Sequence, residues 1–126
     1  MKRVIATSNA PAAIGPYSQA IERNGMLFIS GQIPLKPEES EIEVSSVNEQ
    51  TKQVLVNLKN ILETANYSLA DVVKTTCYLT DMGTFGEMNE VYGQFFTIDP
   101  PARATVEVSK LPRGARVEIE AIAMKG

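Results

Sequence analysis

The sequence predicts an α+β or α/β sandwich in which two helices pack on one face of a mixed sheet. Three observations point there. Two stretches carry apolar residues at helical period, six segments rich in β-branched or alternating residues surround them, and turn signals fall between these segments. Each helix has a single apolar stripe, so the pair covers one side of the sheet only. The other side meets solvent or another subunit.

The elements run β, β-hairpin, α, β, α, β-hairpin. "RVIAT" at 3–7 reads as a short strand, and Pro11, Gly15 and Pro16 mark the loop after it. Residues 18–23 and 26–31 form a hairpin across Asn24-Gly25, a pair that supplies the positive φ of a type I′ turn. Residues 34–45 are polar and acidic, a surface excursion. Ser46 and Glu49 match a capping box at the start of the long helix, whose stripe passes through Val54, Leu55, Leu58, Ile61 and Leu62. Asn66 is its left-handed stop. "DVVKTTCYLT" at 71–80 is a strand, and Thr84 with Glu87 forms a second capping box. That box opens a helix presenting Phe85, Met88, Val91, Tyr92 and Phe95 along one face. Strands 102–108 and 116–124 close the chain as a hairpin joined by "SKLPRGA".

At 126 residues the chain is expected to form one domain, 1–126, with a composition (44% hydrophobic, 21% charged) typical of soluble globular proteins. The net charge of -3 and a pI near 5.0 argue against a dedicated nucleic-acid surface. No apolar run is long enough to span a bilayer and no signal sequence is evident. Cys77 is alone, which suits a reducing compartment, so a cytoplasmic location is expected. The complete absence of histidine removes His-based triads and His metal sites, and one cysteine leaves little for zinc or iron–sulfur ligation. Chemistry here must therefore run on Arg, Glu, Asp, Tyr, Ser, Thr, backbone groups and water.

Arg103 is the residue that stands out, a long cation opening a strand whose alternate positions, Ala104, Val106 and Val108, are small and apolar. If those positions share the helix-covered face with Val117, Ile119, Ala121 and Ala123, parity places Arg103, Thr105 and Glu107 on the opposite face with Glu118, Glu120 and Ile122. Two readings follow: a surface ladder of opposite charges, or an anion site with a carboxylate nearby. Pro100, Pro101 and Pro112 stiffen the region, and a guanidinium held there would grip a carboxylate ligand in bidentate fashion.

Four segments in order carry a family resemblance: "SNAPAAIGPYSQAI" (8–21), "ISGQIP" (29–34), "MNEVYGQFF" (88–96) and "PARATVEVSKLPRGARVEIEAIA" (101–123). The chain resembles the RidA (YjgF-type) family of reactive-intermediate deaminases over essentially its whole length. The resemblance implies a chorismate-mutase-like α+β fold, a mixed six-stranded sheet backed by two helices, assembled as a homotrimer around a central barrel with its sites between subunits. The implied reaction is hydrolysis of 2-imino acids such as 2-iminobutanoate and 2-iminopropanoate, released by pyridoxal-phosphate dehydratases, to 2-oxo acids and ammonia, with no metal or organic cofactor.

Carried onto this sequence, Arg103 would clamp the substrate carboxylate and Glu118 would hold and polarise the attacking water. Tyr17 would close the pocket, Gly31 would let the backbone approach the ligand, and Asn89 would line the cleft. Thr105 stands where many members have cysteine, which removes any thiol switch at that position. Cys77 is expected to be a small core residue. Two rivals belong to other classes: a non-catalytic trimer that binds a small ligand and regulates a partner protein, and RNA cleavage.

Overall fold

In the computed structural model, which describes residues 1–126, six strands form one sheet: β1 (Arg3–Ile5), β2 (Ala20–Arg23), β3 (Met26–Gln32), β4 (Val72–Leu79), β5 (Ala102–Glu107) and β6 (Val117–Met124). Their spatial order is β1-β2-β3-β6-β4-β5, with only the β4–β5 pair parallel. Helices α1 (Val47–Thr64) and α2 (Phe85–Phe95) lie together against one face, giving the expected α+β architecture.

Local chemistry explains most boundaries. Asn24 and Gly25 both take positive φ (53° and 73°), the type I′ geometry that lets β2 and β3 pair tightly. Ser46 caps α1 by accepting from the Glu49 N–H at 3.1 Å, while its own hydroxyl donates to the Glu49 carboxylate. The helix ends in a Schellman motif around left-handed Asn66, with the Tyr67 N–H reaching the Leu62 carbonyl and the Asn66 N–H reaching Glu63. β1 stops at Ile5 rather than Thr7 because the Gln19 side-chain amide takes over the Thr7 backbone N–H and C=O.

Two expectations fail. The Thr84–Glu87 box does not form: a 3-10 turn at Met82–Thr84 precedes α2, Asp81 caps that turn, and the Thr84 hydroxyl donates back to the Asp81 carbonyl. Nor do β5 and β6 form a hairpin. β4 lies between them, pairing with β5 in parallel and with β6 in antiparallel fashion, so the "SKLPRGA" connection crosses a strand.

The core sits between helices and sheet, with Leu27, Leu55, Leu58, Ile61, Leu79, Met88 and Ile119 fully buried. Cys77 is buried among them, and burial pushes its thiol pKa up to about 11, so it is an inert core group. The opposite sheet face has no helix over it. Cross-strand partners Val4, Ile21, Phe28 and Ile122 form an apolar row across four strands there, with Phe28 43% exposed. No helix of the chain is long and apolar enough to cross a membrane.

Candidate active site

The register of β4 and β5 decides where Arg103 points. Thr75 pairs with Arg103 and Cys77 with Thr105, and both β4 residues are buried on the helix side. Arg103 and Thr105 therefore face the helices, while Ala104 and Val106 lie on the open face, Val106 41% exposed. The parity grouping of Arg103 with Glu118 and Glu120 is thus overturned. Its premise was that Ala104 and Val106, being apolar, share the helix-covered face with Val117 and Ile119, and the β4–β5 register puts them on the open face instead.

The charge-ladder reading fails with it. The side chain pairs Arg3–Glu22 and Lys36–Glu43 are the ion pairs of the chain, and Arg103 is in neither. Its guanidinium instead lies 4.6 Å from the Tyr92 ring centroid and 5.3 Å from that of Phe85. It opens onto a cleft of about 390 Å³ lined also by Asn89, Gly93, Pro100 and Pro101. A half-buried cation with no carboxylate partner is suited to take an anion from outside. Thr105 is beside Arg103, but its hydroxyl is turned inward, buried and without a hydrogen-bond partner.

A second cluster forms on the open face and around the β3 bulge. The β3–β6 register slips between Ile29 and Gln32, so Ser30 and Gly31 sit in a β-bulge. The space where a Gly31 side chain would be is filled by the Glu118 carboxyl; a Cβ there would lie 2.9 Å from Glu118 Cδ. Burial raises the Glu118 carboxyl above its ordinary value of 4.5, and the Glu120 charge adds to the shift. Glu120 itself accepts from the Tyr78 hydroxyl at 3.1 Å. Tyr17, 54% exposed, lines one hollow with Phe28 and Ser30 and another with Gly31, Ile33 and Arg113. Within one chain, then, Arg103 shares a cleft with Asn89, Tyr17 shares a hollow with Gly31, and Gly31 abuts Glu118, but the two clusters are on opposite faces. Arg103 and Glu118 are also two strand spacings apart and, being in register with Thr75 and Tyr78, three residues apart along β4, roughly 14 Å in all.

Residues 7–125 match the family model described as Endoribonuclease L-PSP. This chain belongs to the RidA (YjgF/RutC) family. Among its RidA-family relatives, a RutC family protein of Pyrococcus horikoshii is 57% identical over 125 residues, 99% of each chain. The mouse protein named 2-iminobutanoate/2-iminopropanoate deaminase is 49% identical over 126 residues, all of this chain and 93% of the mouse one. A Thermotoga maritima crystal structure superposes with a TM-score of 0.97 at 51% identity, covering 100% of this chain and 99% of that one.

Tyr92 and Phe85, which touch Arg103, were legible in the sequence only as part of the α2 stripe. Nothing in their spacing separates a ring that fills the core from one that supports a cation. Ser30 was equally hidden, because its hydroxyl is placed by a contact to the Ser18 carbonyl across the loop.

The Gly31–Glu118 contact yields a prediction. Gly31→Ala is expected to displace the Glu118 carboxyl and, in an assay for the activity named for the mouse relative, to lower turnover about 10- to 100-fold, the effect of a small misplacement of a group at a reacting centre. Its melting temperature should barely move, because the atoms in the way are the end of a flexible side chain. Initial rates and thermal melts on the same preparation check both halves.

Proposed function

We propose that this protein is a 2-imino acid deaminase, hydrolysing 2-iminobutanoate-like and 2-iminopropanoate-like compounds to 2-oxo acids and ammonia. The observation that carries the reading is the Arg103 guanidinium, half-buried beside Asn89 and paired with no carboxylate of its own chain. The activity named for the mouse relative supports it.

The chemistry asks little of the protein. Arg103 anchors the substrate carboxylate, and Glu118 takes a proton from a water placed against C2. The water oxygen bonds to C2 as the C=N π pair moves to nitrogen, giving a carbinolamine. The protonated Glu118 returns its proton to the amino nitrogen, the C–N bond breaks with its electron pair leaving on ammonia, and the C2 hydroxyl oxygen forms the carbonyl as it gives its proton to the regenerated Glu118 carboxylate. An iminium carbon is already electrophilic, so positioning and one base supply most of what is needed. Tyr17 closes the pocket and donates a hydrogen bond.

In such a substrate the carboxylate carbon and C2 are about 1.5 Å apart, far less than the separation of Arg103 and Glu118 across the sheet of one chain. The site is therefore shared: Arg103 and Asn89 come from one subunit, Tyr17, Gly31 and Glu118 from its neighbour in a homotrimer. The uncovered apolar row of Val4, Ile21, Phe28 and Ile122 supports burial of the open face between copies.

The deciding assay generates 2-iminobutanoate in situ with a threonine dehydratase and follows 2-oxobutanoate release. No acceleration by this protein overturns the reading and favours a ligand-binding regulator. Light scattering should give about three times the 13.8 kDa chain mass. Refolding an equal mixture of Arg103→Ala and Glu118→Gln chains should restore activity to about a quarter of the sites, since each site draws on two subunits. A mixture as inactive as its parts would place both groups in one chain's site. The description of the matching family names RNA cleavage. A net charge of -3 and no histidine support the small-acid reading over it, and a salt-dependent RNA titration separates them.

A further inference from the structure

We propose that Tyr92, together with Phe85, is the positioning platform of the carboxylate clamp: the ring faces hold the Arg103 guanidinium, and Thr75 holds the Tyr92 ring. This rests on reading Arg103 as the residue that binds the substrate carboxylate.

An arginine side chain is long and rotamer-rich, and a site that leaves it free loses affinity on each binding event as it becomes ordered. The usual way to fix a guanidinium is a carboxylate, but that partner would occupy the N–H groups the substrate needs. A ring face supports the cation and leaves the in-plane donors available. Arg103 has this second arrangement, with two rings within 4.6 and 5.3 Å and no ion pair.

The platform is itself fixed. The Tyr92 hydroxyl shares a buried 2.7 Å hydrogen bond with the Thr75 hydroxyl, and its ring packs on Phe96 at 4.7 Å between centroids. Thr75 is the β4 residue in register with Arg103, so one sheet position sets both the strand that carries the cation and the helix ring beneath it. Burial raises the Tyr92 hydroxyl above its ordinary value, which keeps it protonated; a phenolate there would compete for the guanidinium.

The test titrates 2-oxobutanoate into the assembled protein and measures KM and kcat for the imine. Tyr92→Leu removes the ring face and should weaken both Kd and KM about 5- to 30-fold, with kcat changed far less. Phe85→Leu, the gentler variant, should move the same two constants in the same direction. Tyr92→Phe keeps the face but loses the Thr75 tie, and should cost about two- to threefold. A purely structural role predicts instead a fall in melting temperature with no split between KM and kcat. Parent affinity in folded Tyr92→Leu or Phe85→Leu overturns the proposal, as does an equal loss in Tyr92→Phe and Tyr92→Leu. If Tyr92→Leu does not fold, Phe85→Leu decides.

Ligand-free NMR keeps this separate from the functional reading. The Arg103 Nε–H and Cδ protons should show ring-current shifts in the parent that shrink in the two leucine variants. Should the parent bind no 2-oxo acid, the clamp reading fails, and with it the positioning role, whatever the spectra show. If it binds and Arg103→Ala abolishes binding while the ring variants bind and shift as the parent does, only the platform fails.

Discussion

Arg103→Ala is expected to remove nearly all 2-oxo acid binding and imine hydrolysis while leaving the fold intact. The guanidinium is the single unpaired cation facing the Asn89 cleft, so its loss leaves the substrate carboxylate desolvated without a partner. Truncating one member of such a pair costs about 2–5 kcal/mol, roughly 30- to several-thousand-fold in affinity. The fold should tolerate the change. Arg103 makes no ion pair to be broken, sits on an edge strand, and contributes to the core only its contact with the Tyr92 and Phe85 rings. Arg103→Lys should recover only part of the activity, because an ammonium is a point charge and cannot grip both carboxylate oxygens in one plane. Calorimetric titration with 2-oxobutanoate and the coupled imine assay read both effects. Parent-level turnover in the alanine variant would make Arg103 a bystander.

What the sequence made legible was what local chemistry decides. The α1 cap at Ser46, its left-handed stop at Asn66 and the Asn24-Gly25 turn all depend on residues within a few positions of one another, and all three are present. The family segments likewise singled out Arg103, Asn89, Gly31 and Glu118, but not the contact by which the Glu118 carboxyl fills the space beside Gly31. The partner of β5 was not legible. A nine-residue connection from Glu107 to Val117 resembles a hairpin loop, yet β6, apolar at every second position on its helix side, takes the central place between β3 and β4. β5, entered through Pro100 and Pro101 and carrying Arg103, Thr105 and Glu107, is left at the edge, where proline and charge are tolerated. Its register with β4 sets which face Arg103 occupies. Ala104 and Val106 had suggested a core-facing set because they are apolar, and the sequence offers no way to tell a helix-covered apolar face from an uncovered one. The Thr84 box failed for a nearer reason: Asp81, three residues earlier, is a competing cap and captures both the Gly83 N–H and the Thr84 hydroxyl.

Glu118→Gln should separate binding from turnover. The amide occupies the same space against Gly31 and still hydrogen-bonds water, so 2-oxobutanoate should bind within a few-fold of the parent. It cannot accept a proton at useful pH, and loss of a general base typically costs about 10²- to 10⁴-fold in rate. The pH dependence supplies the sharper check. Burial, and then the charge of Glu120, hold the Glu118 carboxyl above its ordinary 4.5, so the base is lost by protonation at a higher pH than an exposed glutamate would be. The enzyme-dependent part of kcat/KM should therefore fall as pH drops through that raised value. Glu120→Gln removes the neighbouring charge, stabilises the ionised form of Glu118 and should move the acid limb to lower pH; Glu118→Gln should leave no limb of this origin. The same shift has a sign for stability. A carboxyl whose pKa is higher folded than unfolded penalises the folded state above that raised value, and the penalty disappears below the unfolded one. Glu118→Gln should thus melt higher than the parent at neutral pH, with the difference closing on acidification. A glutamine variant that turns over the imine at the parent rate, or an acid limb unmoved by Glu120→Gln, would take Glu118 out of the proton transfer and leave it a buried carboxylate with no part in the reaction.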